Sequence, residues 1–310
     1  MLRIVEAILA STIDFAPPVV LAALGGVISE RSGVVNLGLE GMMRLGAFFA
    51  AAATLATGNP WLGLGAGMIA GALAALLHGW LSIRWRSDQV VSGVAINLVA
   101  LGGVTFLVEA LYGRTDTEPS ATIGKLVVPW LEELPLLRVL SGHSWLAYIA
   151  LLVPVALHVL LYRTPLGLRI LAVGEKPQAA ATLGVRVNAL RYGCVVSSGL
   201  LAGLGGASLS VSTLNQFNNH MPAGQGFIAL AAVVFGKWTP LGAFGAALFF
   251  AGANALRISL ASSLPWVKDL VPSGFLLALP YLLTLLLLAG FVGRARAPAA
   301  NGVAYDPELR

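Results

Sequence analysis

Charged residues are scarce in this sequence: they make up 11% of its 310 positions, against roughly 25% in an ordinary soluble domain. That shortage excludes a soluble enzyme. It also excludes a soluble domain with one or two anchors, because apolar stretches recur from end to end. Cysteine is nearly absent, and the single Cys194 excludes an intrachain disulfide. Set in an apolar segment, it is expected to be a small buried core residue. The four histidines, His78, His143, His158 and His220, have neither His-Glu-x-x-His spacing nor cysteine partners, so no metal site is expected. A Gly-x-x-x-x-Gly-Lys-Ser/Thr loop is missing as well, since Gly236-Lys237 is followed by Trp238. The chain is therefore expected to carry no cofactor and to leave any ATP hydrolysis to another protein. A net charge of +5 does not imply nucleic acid, because the basic residues gather in a few connecting loops, as membrane topology requires.

What remains is apolar: 57% of the residues are hydrophobic and the mean hydropathy is +0.84. Candidate spans fall near residues 15–28, 42–57, 61–83, 89–112, 143–162, 192–214, 223–236, 240–260 and 272–292. The segment 223–236 is shorter than a full crossing, which needs about 20 helical residues. Residues 1–14 either extend the first span outward or lie as an interfacial helix. Glu6, Asp14 and Pro17-Pro18 interrupt that region, so no cleavable signal peptide is expected. The expected fold is all-α, a polytopic helical membrane protein with about eight or nine transmembrane helices, some broken into half-helices. Residues 1–293 form the transmembrane domain and 294–310 a short flexible tail. The loop holding Arg163, Arg169, Lys176, Arg186 and Arg191 against one acid, Glu175, belongs in the cytoplasm by positive-inside bias. So do Arg84-Trp-Arg86 and the tail, which puts the N-terminus outside.

The stretch Gly33-Val-Val-Asn-Leu-Gly-Leu-Glu-Gly41 sets Asn36 and Glu40 inside an almost unbroken apolar run. A carboxylate at membrane depth costs about 3 kcal/mol even on lenient scales, so it is a functional candidate by default. The glycines predict a helix broken there, which a bilayer permits only beside protein or a water-filled cavity. Ala223-Gly-Gln-Gly-Phe-Ile-Ala repeats that logic in the second half. Paired, glycine-interrupted segments point to a substrate path; close packing of small residues is the competing explanation. The segment from Thr164 to Val185 is neither a span nor a simple connector. Pro165 and Gly167 end the preceding helix, Pro177 opens a short helix over 178–183, and Gly184 stops it. Basic and partly apolar, this element (about residues 164–190) would dock on a partner protein.

With these features in place, the chain resembles the permease subunits of bacterial ABC importers of the branched-chain amino acid, simple-sugar and nucleoside group. The matching blocks are 30–43, 88–97 (with Asn97), 167–184 and 224–240, in the expected order. Glu40-Gly-Met-Met43 and Phe235-Gly-Lys-Trp-Thr-Pro240 resemble the nucleoside branch. The resemblance implies a subunit of the bacterial inner membrane, embedded in lipid, with the C-terminus cytoplasmic. Implied partners are a second related permease (heterodimer, or homodimer), a cytoplasmic ABC ATPase and an extracytoplasmic substrate-binding lipoprotein. It also implies that the 167–184 element is the coupling helix, with Gly167, Arg169, Gly174, Glu175, Pro177, Ala179, Ala180 and Gly184 feeling ATP-driven closure.

The paired breaks would line the path through Asn36, Glu40, Asn97, Gln225 and Phe227. Amides suit a ribose hydroxyl or a base edge. Glu40 either accepts hydrogen bonds from substrate or pairs with Arg44 one turn away. Phe227 either offers a face to a purine or packs in the core. Asn215, Asn218, Asn219 and His220 form a polar outer turn suited to the receptor. A simple sugar is the alternative cargo. A different class, an ion-coupled carrier working alone, would use Glu40, Glu109 and Asp14 as ion sites; the docking element argues against it.

Overall fold

The computed structural model describes residues 2–132, 137–263 and 296–306. The expected span at 272–292 lies outside them. Eleven helices are described: α1 Leu2–Arg31, α2 Leu39–Thr57, α3 Pro60–Gly79, α4 Gln89–Tyr112, α5 Pro129–Glu132, α6 Trp145–Arg163, α7 Pro165–Glu175, α8 Pro177–Thr182, α9 Val187–Ser208, α10 Gln225–Phe235 and α11 Pro240–Ser263. Seven of them (α1, α2, α3, α4, α6, α9 and α11) are long and apolar enough to cross a membrane. Each answers to one of the expected segments, and α10 to the short one. Residues before 15 continue α1 as one helix through Pro17 and Pro18. Prolines are tolerated there because neighbouring groups in a membrane bundle satisfy the freed carbonyls.

Helix starts follow local chemistry. Asn59, Asp88, Ser144 and Thr164 each accept a hydrogen bond from a backbone N–H in the first turn of α3, α4, α6 and α7. Pro60 and Pro165 occupy first-turn positions where no N–H is needed. Turns of π-helix at Trp80–Arg84 and Leu209–Thr213 extend α3 and α9.

The centre is a bundle of α2, α3 and α9 packed backbone to backbone. A Cβ placed on Gly46 would lie 2.3 Å from Gly203 O, and one on Gly71 would lie 2.3 Å from Gly199 O. Such close approach is how membrane helices gain dispersion contacts that lipid does not supply. The outer faces invert a soluble protein, with Phe106 on α4 70% exposed and Leu152 on α6 68% exposed, as lipid contact requires. An outward-opening apolar groove of about 570 Å³ between α2, α3 and α4 is lined by Leu45, Phe49, Ile69, Leu73 and Val99.

Over one end of the bundle, residues 115–123 run along 211–219. Thr117 N donates to Phe217 O at 2.9 Å, Ser120 N to Asn215 O at 2.7 Å and Ile123 N to Val211 O at 2.9 Å. Beside it, β1 Lys125–Leu126 pairs antiparallel with β2 His143–Ser144 as a short hairpin.

Candidate functional site

Both expected breaks exist, and the structure brings them against each other. The first runs from Ser32 to Gly38 between α1 and α2, turning at Gly33 with φ +92. Irregular backbone buried inside the bundle must find partners for its polar groups. Gln89 Oε1 accepts from Val35 N at 2.7 Å. His78 Nε2 meets Val35 O at 2.9 Å. A carbonyl only accepts, so Nε2 carries the proton and Nδ1 accepts from Ser92 Oγ at 3.0 Å. Asn36 is fully buried; its oxygen accepts from Gly38 N at 3.1 Å and its Nδ2 donates to Ser198 Oγ at 2.9 Å. Asn97 spans the break from α4, donating to Leu37 O at 2.8 Å and accepting from Gly41 N at 2.7 Å.

The second break, residues 214–224, ends where Gly224 enters α10 with φ +85. There Glu40 accepts from Gly224 N at 2.9 Å and Gly226 N at 2.7 Å. A carboxylate at a helix N-terminus meets unpaired N–H groups and the positive end of the helix dipole. A Cβ on Gly226 would fall 2.5 Å from Glu40 Cα, so only glycine allows this approach. Arg44 does not close on Glu40; its Nη1 donates to Asn219 O at 2.7 Å, tying α2 to the second break again. The carboxylate thus joins the two breaks. Gln225 Oε1 and Asn219 Oδ1 are buried without a hydrogen-bond partner among the described residues. Phe227 is 52% exposed, so core packing within this chain is the alternative not realised.

Three more contacts surround the first break. Glu30 accepts from Trp238 Nε1 at 2.5 Å, and Arg31 Nε donates to Trp238 O at 2.6 Å. A Cβ on Gly174 of α7 would lie 2.1 Å from Arg31 O. Blocks 30–43, 88–97, 167–184 and 224–240, far apart in sequence, therefore converge around residues 30–41. Within residues 164–190, Gly167 packs on Leu160 and Leu161, while Pro177 and Ala180 are buried. Arg169, Glu175, Ala179 and Gly184 are exposed, and Leu183 is 85% exposed.

At the opposite end, Asn215 and His220 are exposed, whereas Asn218 and Asn219 are half-buried. Asn218 Oδ1 accepts from His220 N at 3.0 Å. Sequence reasoning missed Glu30, Gln89, His78 and Ser198 as break-holding residues. Polar groups inside apolar runs were the available signal for His78 and Ser198.

Apolar outer faces around two interrupted, mutually locked segments define a multi-pass membrane protein of the transporter class. Residues 8–280 match the family described as branched-chain amino acid transport system / permease component, and the chain belongs to that family. It is 46% identical to the guanosine ABC transporter permease protein NupQ of Bacillus subtilis, over 98% of each chain. It is 38% identical to the nucleoside ABC transporter permease protein NupC of Lactococcus lactis subsp. cremoris, over 97% of this chain and 96% of that one. The putative glucose ABC transporter permease protein TsgC13 of Haloferax volcanii is 36% identical, over 97% and 98%. The same two bacteria each hold a second, more distant relative, NupP at 26% and NupB at 24% identity, covering 82% and 77% of this chain. The chain is thus a permease subunit, a transport component and not an enzyme.

Proposed function

We propose that this chain forms half of the translocation path of an ATP-driven nucleoside importer. The carrying observation is the junction of the two breaks at Glu40, with α7 seated against Arg31 and Gly33 where the first break begins. Any displacement of α7 therefore reaches the interrupted helices without an intermediary. The cargo is inferred from the nucleoside and guanosine names of two full-length relatives. A nucleoside is neutral and rich in hydrogen-bonding groups, which suits a path whose buried carboxylate is already satisfied by backbone.

In this reading Asn36, Glu40 and Asn97 shape the path by holding backbone, and substrate contact falls to Gln225 and Phe227. An amide with an unused acceptor serves a ribose hydroxyl or base amine, and an aromatic ring serves a base face. The chain lies in a bacterial inner membrane with its C-terminus and α7–α8 on the cytoplasmic side. There a separate ATPase grips the exposed Arg169, Ala179, Leu183 and Gly184. A second, related permease completes the path; the paired relatives in two bacteria favour a heterodimer. The outer turn 215–220 meets a lipoprotein receptor.

The test is reconstitution of the chain with its ATPase, companion permease and receptor in liposomes, following labelled guanosine. Uptake that requires ATP is expected. Gradient-driven uptake by the chain alone would defeat this reading. A sugar cargo is the second reading, motivated by the glucose-permease relative; competition between glucose and guanosine for the receptor separates the two.

A further inference from the structure

Residues 296–306, expected as a flexible tail, lie docked across the end of the bundle that carries α7 and α8. Pro298 and Ala300 are buried. Ala300 N donates to Gly174 O at 2.8 Å and Ala299 N to Glu175 Oε2 at 3.3 Å, holding the segment to α7. Asn301 Nδ2 donates to Glu30 Oε2 at 3.1 Å, on the carboxylate that also takes the Trp238 indole. Arg191, buried in α9, donates to Val303 O at 3.1 Å. Tyr305 packs on the small cluster of Val173, Ala180 and Val187 that joins α7, α8 and α9. Arg86 closes the far end with a two-pronged pair to Asp306 at 2.6 and 3.0 Å. The segment also touches the first break itself: a Cβ on Gly33 would lie 3.0 Å from Ala300 O, and one on Gly302 would lie 3.5 Å from Val35.

We infer that residues 298–306 are working parts of the coupling machinery, a strap that fastens α7–α8 to the first break so that motion passes in both directions. The mechanical reason is specific. The direct contact of α7 with the break, Gly174 against Arg31, is a van der Waals contact, which transmits a push and resists separation only weakly. Hydrogen bonds from one strap to both Gly174 and Glu30 resist separation. They let a withdrawing α7 pull residues 30–40 back as well as push them. Ala300 and Asn301 are thus positioning residues for transport, distinct from the surface the ATPase touches.

This inference rests on the importer reading above, and its experiment separates the two. Three variants of the full complex in liposomes are compared with wild type: a chain stopped after Ala297, Ala300→Pro, which removes the donor to Gly174, and Ala300→Gly, which keeps it. Guanosine taken up per ATP hydrolysed is measured, alongside complex yield and thermal stability. The expected result is continued hydrolysis with the ratio reduced at least about fivefold in the first two, and a wild-type ratio in Ala300→Gly. Should the stopped chain fail to assemble, Ala300→Pro decides. An unchanged ratio in Ala300→Pro overturns the strap while leaving the importer intact. Absence of ATP-driven uptake in wild type overturns both.

Discussion

Glu40 is the residue on which most of the local architecture depends. Its two oxygens satisfy N–H groups of Gly224 and Gly226 that open α10. Hydrogen bonds to a charged group contribute about 1.5–3 kcal/mol each. Glu40→Ala is therefore expected to lower the stability of the detergent-purified protein by roughly 2–4 kcal/mol, read as a drop in midpoint temperature. Glu40→Gln retains one acceptor but turns an amide NH₂ toward the other donor, so it should fall between. If Glu40 served substrate alone, Glu40→Gln would depress uptake with the melting curve unmoved. Asn36, Glu40 and Asn97 stood out in the sequence because polar groups at membrane depth need a reason. Their partners did not, because Ser198, Leu37 and Gly224 lie 60 or more positions from the residues they meet and only folding juxtaposes them.

Among elements, the β1–β2 hairpin has a built-in dependence on pH. Burial opposes protonation of His143. The hydrogen bonds to Asp14 (2.7 Å) and Val139 O (2.6 Å), with the charge of Asp14, outweigh it and Lys125, raising its pKa above the usual 6.5. A raised folded pKa means that the stabilisation is complete below the unfolded value and is lost as pH rises through the folded one. Arg138, whose guanidinium is likewise held protonated by Glu6, fastens the same region to α1 and stays charged throughout. Limited proteolysis within 113–144 should therefore quicken as pH climbs past 6.5, and Asp14→Asn should flatten the profile. A profile identical in Asp14→Asn and wild type would remove this account. The breaks and the short α10 were visible in the sequence, because Gly and Pro act through local backbone chemistry. The strand-like pairing of 115–123 with 211–219 was not visible, since main-chain hydrogen bonds between distant loops leave no pattern in side-chain order.

For the whole molecule, the proposal that α7–α8 moves the breaks is open to direct test. Arg169 is exposed and free to meet a partner, whereas Ala180 is buried beside Val173 and Val187. Arg169→Glu should weaken ATPase docking and leave the chain's own stability unchanged. Ala180→Pro removes the N–H that donates to Lys176 O at 3.0 Å, costing α8 about 3 kcal/mol. It should uncouple hydrolysis from uptake while the receptor still captures substrate. Measuring hydrolysis and uptake together in both variants checks this, and full coupling in both would end the role of the element. Amino-acid order alone was enough for the membrane-spanning class, the places where helices break and the short helical element between α6 and α9. Each follows from hydropathy and backbone chemistry acting over a few residues. Folding was needed to reveal that the four distant blocks meet around residues 30–41, that Glu40 serves backbone N–H groups, and that 296–306 lies docked against α7. Those outcomes turn on which polar groups find one another inside a close-packed bundle, where an unpaired donor or acceptor is costly and local sequence names no partner.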